Sequence, residues 1–528
     1  MSILKYYLAR PKVYISLLVI CLSLFQTTII LDNDLNMSIF QGRVSLRAMA
    51  SMRIAQNIAE GRGVTFDGES AAKLYSPLWV YLVSVVFRIA GDPTTSAILL
   101  LMLCQALFHF GLIIILIWLS KRLGNLSIFF ATAVFVGLFP GIKIALIDGS
   151  ETTLVFFFLS ILMLILEPPT SGLERRGAIW RGVGGIIVLI ALILTRPDIA
   201  IFAVLFGLIA FLKCFRAKTR DVKALAGFFM LIFGNYMGFK IIDSGMFVPA
   251  GSLAPELGIV KPFMRIFTGL EPSFSLPIAV KLSIALVFIA FAIISWKRAK
   301  PSMTAIASSI AARIIIFSGL VAPIAEDSAF FAIDAVLIAI ALAYFIFIAL
   351  KKLFGEKHGA LAAVVLAVAA VSVQNLMPDI HSPRRRGDII SAVFASSWMG
   401  NNLPEDARLA AFEPEIPAFI SQRDILDLGG RYSKLPFKRS LRVPDSTAAF
   451  ILSENVEFLF GRWVIEDTTG GITFQDSITA LESLPFEYSV LVGLEDRLKI
   501  LRHFSRDFYI FQIVDSSESA EKTLQGEE

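Results

Sequence analysis

Charge is scarce in this sequence: 17% of its 528 residues are Asp, Glu, Lys or Arg, against 56% that are hydrophobic. A water-soluble globule needs a polar skin over its core, so this balance excludes an ordinary soluble protein. Histidine is scarcer still, with four in all and no HExxH or CxxC spacing, which argues against a structural zinc site. The three cysteines, Cys21, Cys104 and Cys214, lie in or at the edges of apolar runs. They offer no disulfide framework, and the redox compartment stays open. The net charge of +5 is small and is sorted by loop, so it reports membrane topology and not a nucleic-acid partner. No fixed-period repeat is visible.

What the chain has in abundance is apolar sequence, including 45 Phe, at a mean hydropathy of +0.73. Lys5, Arg10 and Lys12 precede an apolar run over 13–31 with no small-residue cleavage site after it, which reads as an uncleaved anchor with a cytoplasmic N-terminus. Further runs follow at 75–91, 94–119, 126–147, 152–167, 182–194, 199–212, 224–242, 276–295, 303–321, 329–350 and 359–374. Loop charge decides which of them span. If 75–91 lies at the outer interface and 94–119 is the second span, the inward loops carry Lys121/Arg122, Arg175/Arg176/Arg181, Lys213/Arg216/Lys218/Arg220/Lys223, Lys297/Arg298/Lys300 and Lys351/Lys352/Lys357. If 75–91 spans, every later loop flips and the positive-inside rule fails throughout. The expected fold is therefore a polytopic α-helical membrane protein of about eleven transmembrane helices with an extracytoplasmic C-terminal α/β domain.

The boundaries follow from hydropathy: a transmembrane module over 1–374, with 32–92 as its first extracytoplasmic loop, then an α/β domain over 375–515 and a disordered acidic tail over 516–528. Short β-like runs at Leu409-Ala-Ala-Phe412, Ile425-Leu-Asp-Leu428, Phe458-Leu-Phe460 and Tyr509-Ile-Phe-Gln-Ile513 mark the domain's strands, with Pro404, Pro414, Pro417 and Gly429-Gly430 as turns.

On this topology the acids gather at one membrane face. Asp32 and Asp34 follow the first span, Asp148 and Glu151 sit in Asp148-Gly-Ser-Glu-Thr-Thr153, and Arg196-Pro-Asp198 lies at the next outward junction. Ionisable groups beside lipid are costly and mark functional sites by default. Carboxylates there suit glycosyl transfer from a lipid-phosphate sugar, with one acid taking the acceptor proton. Asp34, Asp32 and Glu151 are the candidates for catalysis. The departing phosphate needs cations, for which Arg53, Lys143, Arg196, Lys261 and Arg265 are available, with Asp148 beside them. Two plainer readings stand alongside: basic residues at outward helix ends that snorkel to headgroups, and Asp148 and Asp198 as helix caps. A helix over 43–60 places Arg43, Arg47, Arg53, Asn57 and Glu60 on one side and Ala48, Met52, Ala55 and Ala59 on the other. It is expected in the interface plane, apolar face down.

The run Arg53-Ile-Ala-Gln-Asn-Ile-Ala-Glu-Gly-Arg-Gly-Val-Thr-Phe66, followed by Ser76-Pro-Leu-Trp79, resembles the first extracytoplasmic loop of bacterial GT-C glycosyltransferases of the polyprenyl-phosphate mannosyl- and arabinofuranosyl-transferase-like group. In the same order, Gly149-Ser-Glu-Thr-Thr153 resembles that family's Gly-Met-Glu-Thr element, Leu194-Thr-Arg-Pro-Asp198 its Leu-Thr-Arg-Pro-Glu/Asp element, and Gly245-Met-Phe-Val-Pro249 its outward proline loop. Leu403-Pro-Glu-Asp-Ala-Arg408 and Ile425-Leu-Asp-Leu-Gly429 resemble the start of its extracytoplasmic domain. The resemblance implies an inverting enzyme of the bacterial inner membrane. It would move sugar from a polyprenyl-phosphate donor substrate to a cell-envelope glycan or lipid acceptor, with a first-loop acid as base and no cofactor; a divalent cation is possible but no ligand spacing indicates one. The family's Asp-Asp pair would fall near Leu46-Arg47, and Asp32 and Asp34 lie about a dozen residues earlier. Either these two take over that role, or the catalytic acid is lost and the chain is a scaffold in envelope assembly. A lipid or solute transporter is a third reading, raised by Lys281 and Arg313 within apolar runs, although the matched repeats of transporters are missing.

Overall fold

In a computed structural model of the chain, residues 44–69, 71–72, 76–123, 149–165, 175–196, 383–411, 413–428, 444–462, 465–468, 471–474, 494, 497–504 and 508–514 are described, with isolated positions at 286, 288–290, 292–293 and 352. The first span and most of those after 196 lie outside the described residues.

Helix α1, Leu46–Ala59, begins where Ser45 accepts the Ala48 N–H at 3.1 Å and ends ahead of Gly61, whose φ of +84° turns the chain. Asn57 shapes the loop that follows: its Nδ2 donates to the carbonyls of Thr65 at 2.9 Å and Phe66 at 3.2 Å. Helix α2, Pro77–Ala90, opens on Pro77, whose missing N–H costs nothing at that position, and closes on left-handed Gly91. Its 14 residues are short of the roughly 20 that a span requires. Helix α3, Pro93–Leu123, is capped by Asp92, which accepts the Thr95 N–H at 2.8 Å, and contains an apolar stretch, Thr95–Ile115, of membrane-spanning length. It is the only such helix among the described residues. Helices α4, Thr152–Ile165, and α5, Arg175–Thr195, follow.

The helices approach closely where small residues allow it. A Cβ at Gly111 of α3 would stand 2.9 Å from the Phe156 ring and 3.2 Å from the Phe157 Cα, so α4 lies directly on this glycine. Side-chain packing of this kind holds helices together where no hydrophobic effect acts between them.

After helix α6, Pro383–Asn402, comes an α/β unit: β1 (Leu409–Ala411), α7 (Glu415–Ser421), β2 (Ile425–Asp427), α8 (Pro444–Ser453), β3 (Phe458–Arg462), β4 (Ile465–Thr468), β5 (Gly471–Phe474), β6 (Leu498–Phe504) and β7 (Phe508–Ile513). The main sheet has the order β2-β1-β3-β7-β6, with β1 parallel to β2 and β3 and the rest antiparallel; β4 and β5 form a separate pair. Side chains alternate faces along each strand. Leu409, Ala411, Phe458, Phe460 and Ile510 join a core shared with α1, α2, α3, α6 and α7, whereas Ala410, Leu459, Tyr509 and Phe511 pack under α8.

One expectation is corrected. The polar side of helix α1 is not left to water: Arg53, 1% exposed, is covered by the α/β unit at Asp424, and Asn57 is fully buried under the loop that follows the helix, while Glu60 at the helix end stays exposed. Residues Met49 to Ile58 are buried around the whole helix.

Replacing Gly111 with Leu is expected to destabilise the protein by about 1–3 kcal/mol, the usual cost of overpacking. Gly184→Ala, whose new carbon would meet only Ile165 Cδ1 at 3.7 Å, should leave stability unchanged or slightly raised. Thermal unfolding in detergent compares the two directly.

Candidate functional site

The turn ahead of α4 is built against α1. Gly149 adopts φ +72°, and a Cβ there would lie 3.2 Å from Met52 Cε and 3.4 Å from Ala48 Cβ. Only glycine combines that backbone with so close a seat on the helix. Ser150 Oγ donates to Thr152 Oγ1 at 2.8 Å and accepts from the Thr152 N–H at 3.3 Å, which starts α4. At the far end of α5, the Arg196 N–H still donates to Leu192 O at 2.8 Å; Pro197 follows in the sequence, where the helix stops.

These two termini bring Glu151 and Arg196 together. Arg196 Nε lies 3.9 Å from Glu151 Oε1, and both side chains are fully buried. The separation is too long for a hydrogen bond, so the contact is one of opposite charges in a medium where charge interacts strongly. Two ions withdrawn from water are retained only when each answers the other or a ligand.

Arg53 occupies a neighbouring face of α1, turned to the α/β unit. Its Nη2 donates to Asp424 Oδ1 at 2.7 Å and its Nη1 to Gln56 Oε1 at 3.4 Å. Arg62 grips the same carboxylate with Nη1, at 2.8 and 3.0 Å to its two oxygens, and reaches Glu60 Oε2 at 2.6 Å. Burial lowers the Arg53 guanidinium from its ordinary value while Asp424 pulls the other way. At Arg62 partial burial also works downward, but Asp424 and Glu60 outweigh it and hold the group above its ordinary value. Gln56 Nε2 extends the contact to Gln422 Oε1 at 2.7 Å, and Arg408 meets Glu69 at 3.0 Å. Arg423 donates to the carbonyls of Pro404 and Leu403 and, at 3.3 Å, of Gly400, which ties the end of α6 to the strand that follows.

Of the residues singled out in the sequence, the structure thus brings Glu151 and Arg196 into one contact and places Arg53 elsewhere on α1. Asp32, Asp34, Lys143, Asp148, Lys261 and Arg265 lie outside the described residues. Asp424, Gln422 and Arg62 emerge only in three dimensions; Asp424 is 371 residues from Arg53 along the chain, and no local pattern marks it. Ser76 and Trp79 are buried in the core, where they anchor the start of α2. Among the described residues no cluster of three or more His, Cys, Asp or Glu is arranged to hold a metal ion.

No family model matches the chain, and no curated protein does. Among solved structures the chain is similar to ArnT from Cupriavidus metallidurans in the apo state, with 11% identity, 93% of this chain and 98% of that one covered, and a TM-score of 0.48. The same ArnT bound to undecaprenyl phosphate gives 10% identity, 95% and 98% coverage and a TM-score of 0.48. An oligosaccharyltransferase from Archaeoglobus fulgidus, tethered to an acceptor peptide containing the NVT sequon, gives 11% identity, 81% and 70% coverage and a TM-score of 0.44.

If the Glu151–Arg196 contact holds these termini together, Glu151→Ala and Arg196→Ala should each destabilise by about 3–5 kcal/mol, because each takes an opposite charge away from a buried ion. The double variant should lose less than the two losses added. Denaturation of all four proteins in one detergent measures the coupling, and strict additivity would dissolve the pair as an energetic unit.

Proposed function

We propose that this protein is a membrane glycosyltransferase of GT-C type that moves a sugar from a polyprenyl-phosphate donor to a cell-envelope glycan or lipid acceptor on the extracytoplasmic side. The observation that carries this reading is the meeting of Glu151 and Arg196, from turns 45 positions apart in sequence (196 − 151), at the ends of apolar helices against the first-loop helix. An ion pair has little purely structural reason to sit there, since well-packed apolar residues stabilise such a place as well or better. A phosphate that departs with growing negative charge gives it one.

The geometry also divides the roles. In an inverting displacement the base and the leaving group stand on opposite sides of the anomeric carbon. A carboxylate 3.9 Å from a guanidinium cannot flank the sugar opposite a phosphate held by that same guanidinium. Glu151 therefore suits the orientation of Arg196 toward the phosphate, with Lys143, Lys261 and Arg265 as further phosphate contacts. Asp34, or Asp32 beside it, is left to take the acceptor proton. No metal enters this scheme.

The test is sugar transfer by purified protein in proteoliposomes supplied with polyprenyl-phosphate sugars and envelope acceptors. Asp34→Asn should abolish turnover. Arg196→Lys, which keeps the charge but loses the fork, should lower kcat by about 10–100-fold, as expected for one positioned donor. A folded wild-type protein with no transfer from any donor, in cells whose envelope still requires it, would make the chain a scaffold.

A further inference from the structure

The Glu151 turn is seated on α1, and α1 is in turn held by the α/β unit through very few polar atoms. Ala48 and Met52 touch Gly149, while Arg53, Gln56 and Arg62 reach Gln422 and Asp424, the short link between α7 and β2. Asp424 dominates that link. One carboxylate accepts from two guanidiniums, one of them almost wholly buried, and Gly68 comes so close that a Cβ there would stand 2.9 Å from Asp424 Oδ2. Half of the Asp424 side chain is nevertheless exposed, so this contact responds to solvent and ions in a way the apolar core does not.

We propose that Asp424 is a positioning residue for sugar transfer: through Arg53 and Arg62 it fixes α1, and α1 fixes the turn that carries Glu151. The α/β unit is then part of the reaction machinery at a distance. The inference rests on the transferase reading for its kinetic consequence, but its structural half stands alone.

Asp424→Ala and Asp424→Glu, compared in proteoliposomes and by amide hydrogen exchange on the full chain, test both halves. With Ala, exchange should rise through Leu46–Ala59 and through 149–153 while α3 keeps its protection. Transfer should lose tenfold or more in kcat, with donor KM changed less than about threefold, since a misplaced turn affects reaction more than binding. Glu should restore most of the lost rate. Raising salt should slow the wild type toward the Ala variant and leave the Ala variant unaffected. Exchange that rises only over 415–424, or a kcat equal to wild type, overturns the proposal. An inactive wild type with increased exchange in the 149–153 turn of the Ala variant would instead sink the transferase reading and leave the coupling intact.

Discussion

A buried charge must have an answering charge, and two such pairs determine how this structure is put together. Arg196 answers Glu151 where two apolar helices end, and Asp424 answers Arg53 where the α/β unit meets the first loop. Helix α1 stands between them. It is buried around its circumference, touches the Glu151 turn with one face and the α/β unit with the next, and packs on α2 as well. Neither pair is a strong source of stability by itself, because desolvation offsets most of the attraction. Their effect is to specify position: a wrong register of α1 would take the buried Arg53 away from Asp424.

That arrangement explains why a long apolar chain retains carboxylates and guanidiniums at these points. The Glu151–Arg196 contact couples the start of α4 to the end of α5, two largely apolar helices that pack together. A reaction that expels a phosphate needs such a fixed cation, preset so that little reorganisation is left for the moment of bond breaking. The loop after α1 is shaped by Asn57, which donates to the Thr65 and Phe66 carbonyls, and its Arg62 meets Asp424.

Much of this was legible in the sequence, for identifiable reasons. The apolar runs at 94–119 and 152–167 became α3 and α4 because length and hydropathy leave a helix little alternative. Strands at 409, 425, 458 and 509 were signalled by short apolar runs between turn residues. β6 was not, since it is an edge strand whose Lys499, Arg502 and His503 break the apolar signal. β4 and β5 pair only with each other among the described strands. Glu151 and Arg196 stood out in the sequence as ionisable residues at the ends of apolar runs, where charge demands a reason, and the structure puts them in contact. The amphipathic pattern of α1 was read as an apolar and a polar side, yet Arg53 and Asn57 on the polar side are buried: periodicity shows that a face is polar, not that water covers it. Asp424 was illegible, because a half-exposed aspartate in a domain rich in surface acids acquires meaning only from the two arginines that fold onto it.

The central claim is that Arg196, oriented by Glu151, holds the phosphate of a lipid-linked sugar. The most direct measurement is an experimental structure of the purified protein with a polyprenyl phosphate bound. The account predicts a phosphate oxygen within about 3 Å of an Arg196 nitrogen, on the side away from Glu151. A lipid phosphate seated on other cations, with the Glu151–Arg196 contact unchanged, would contradict it.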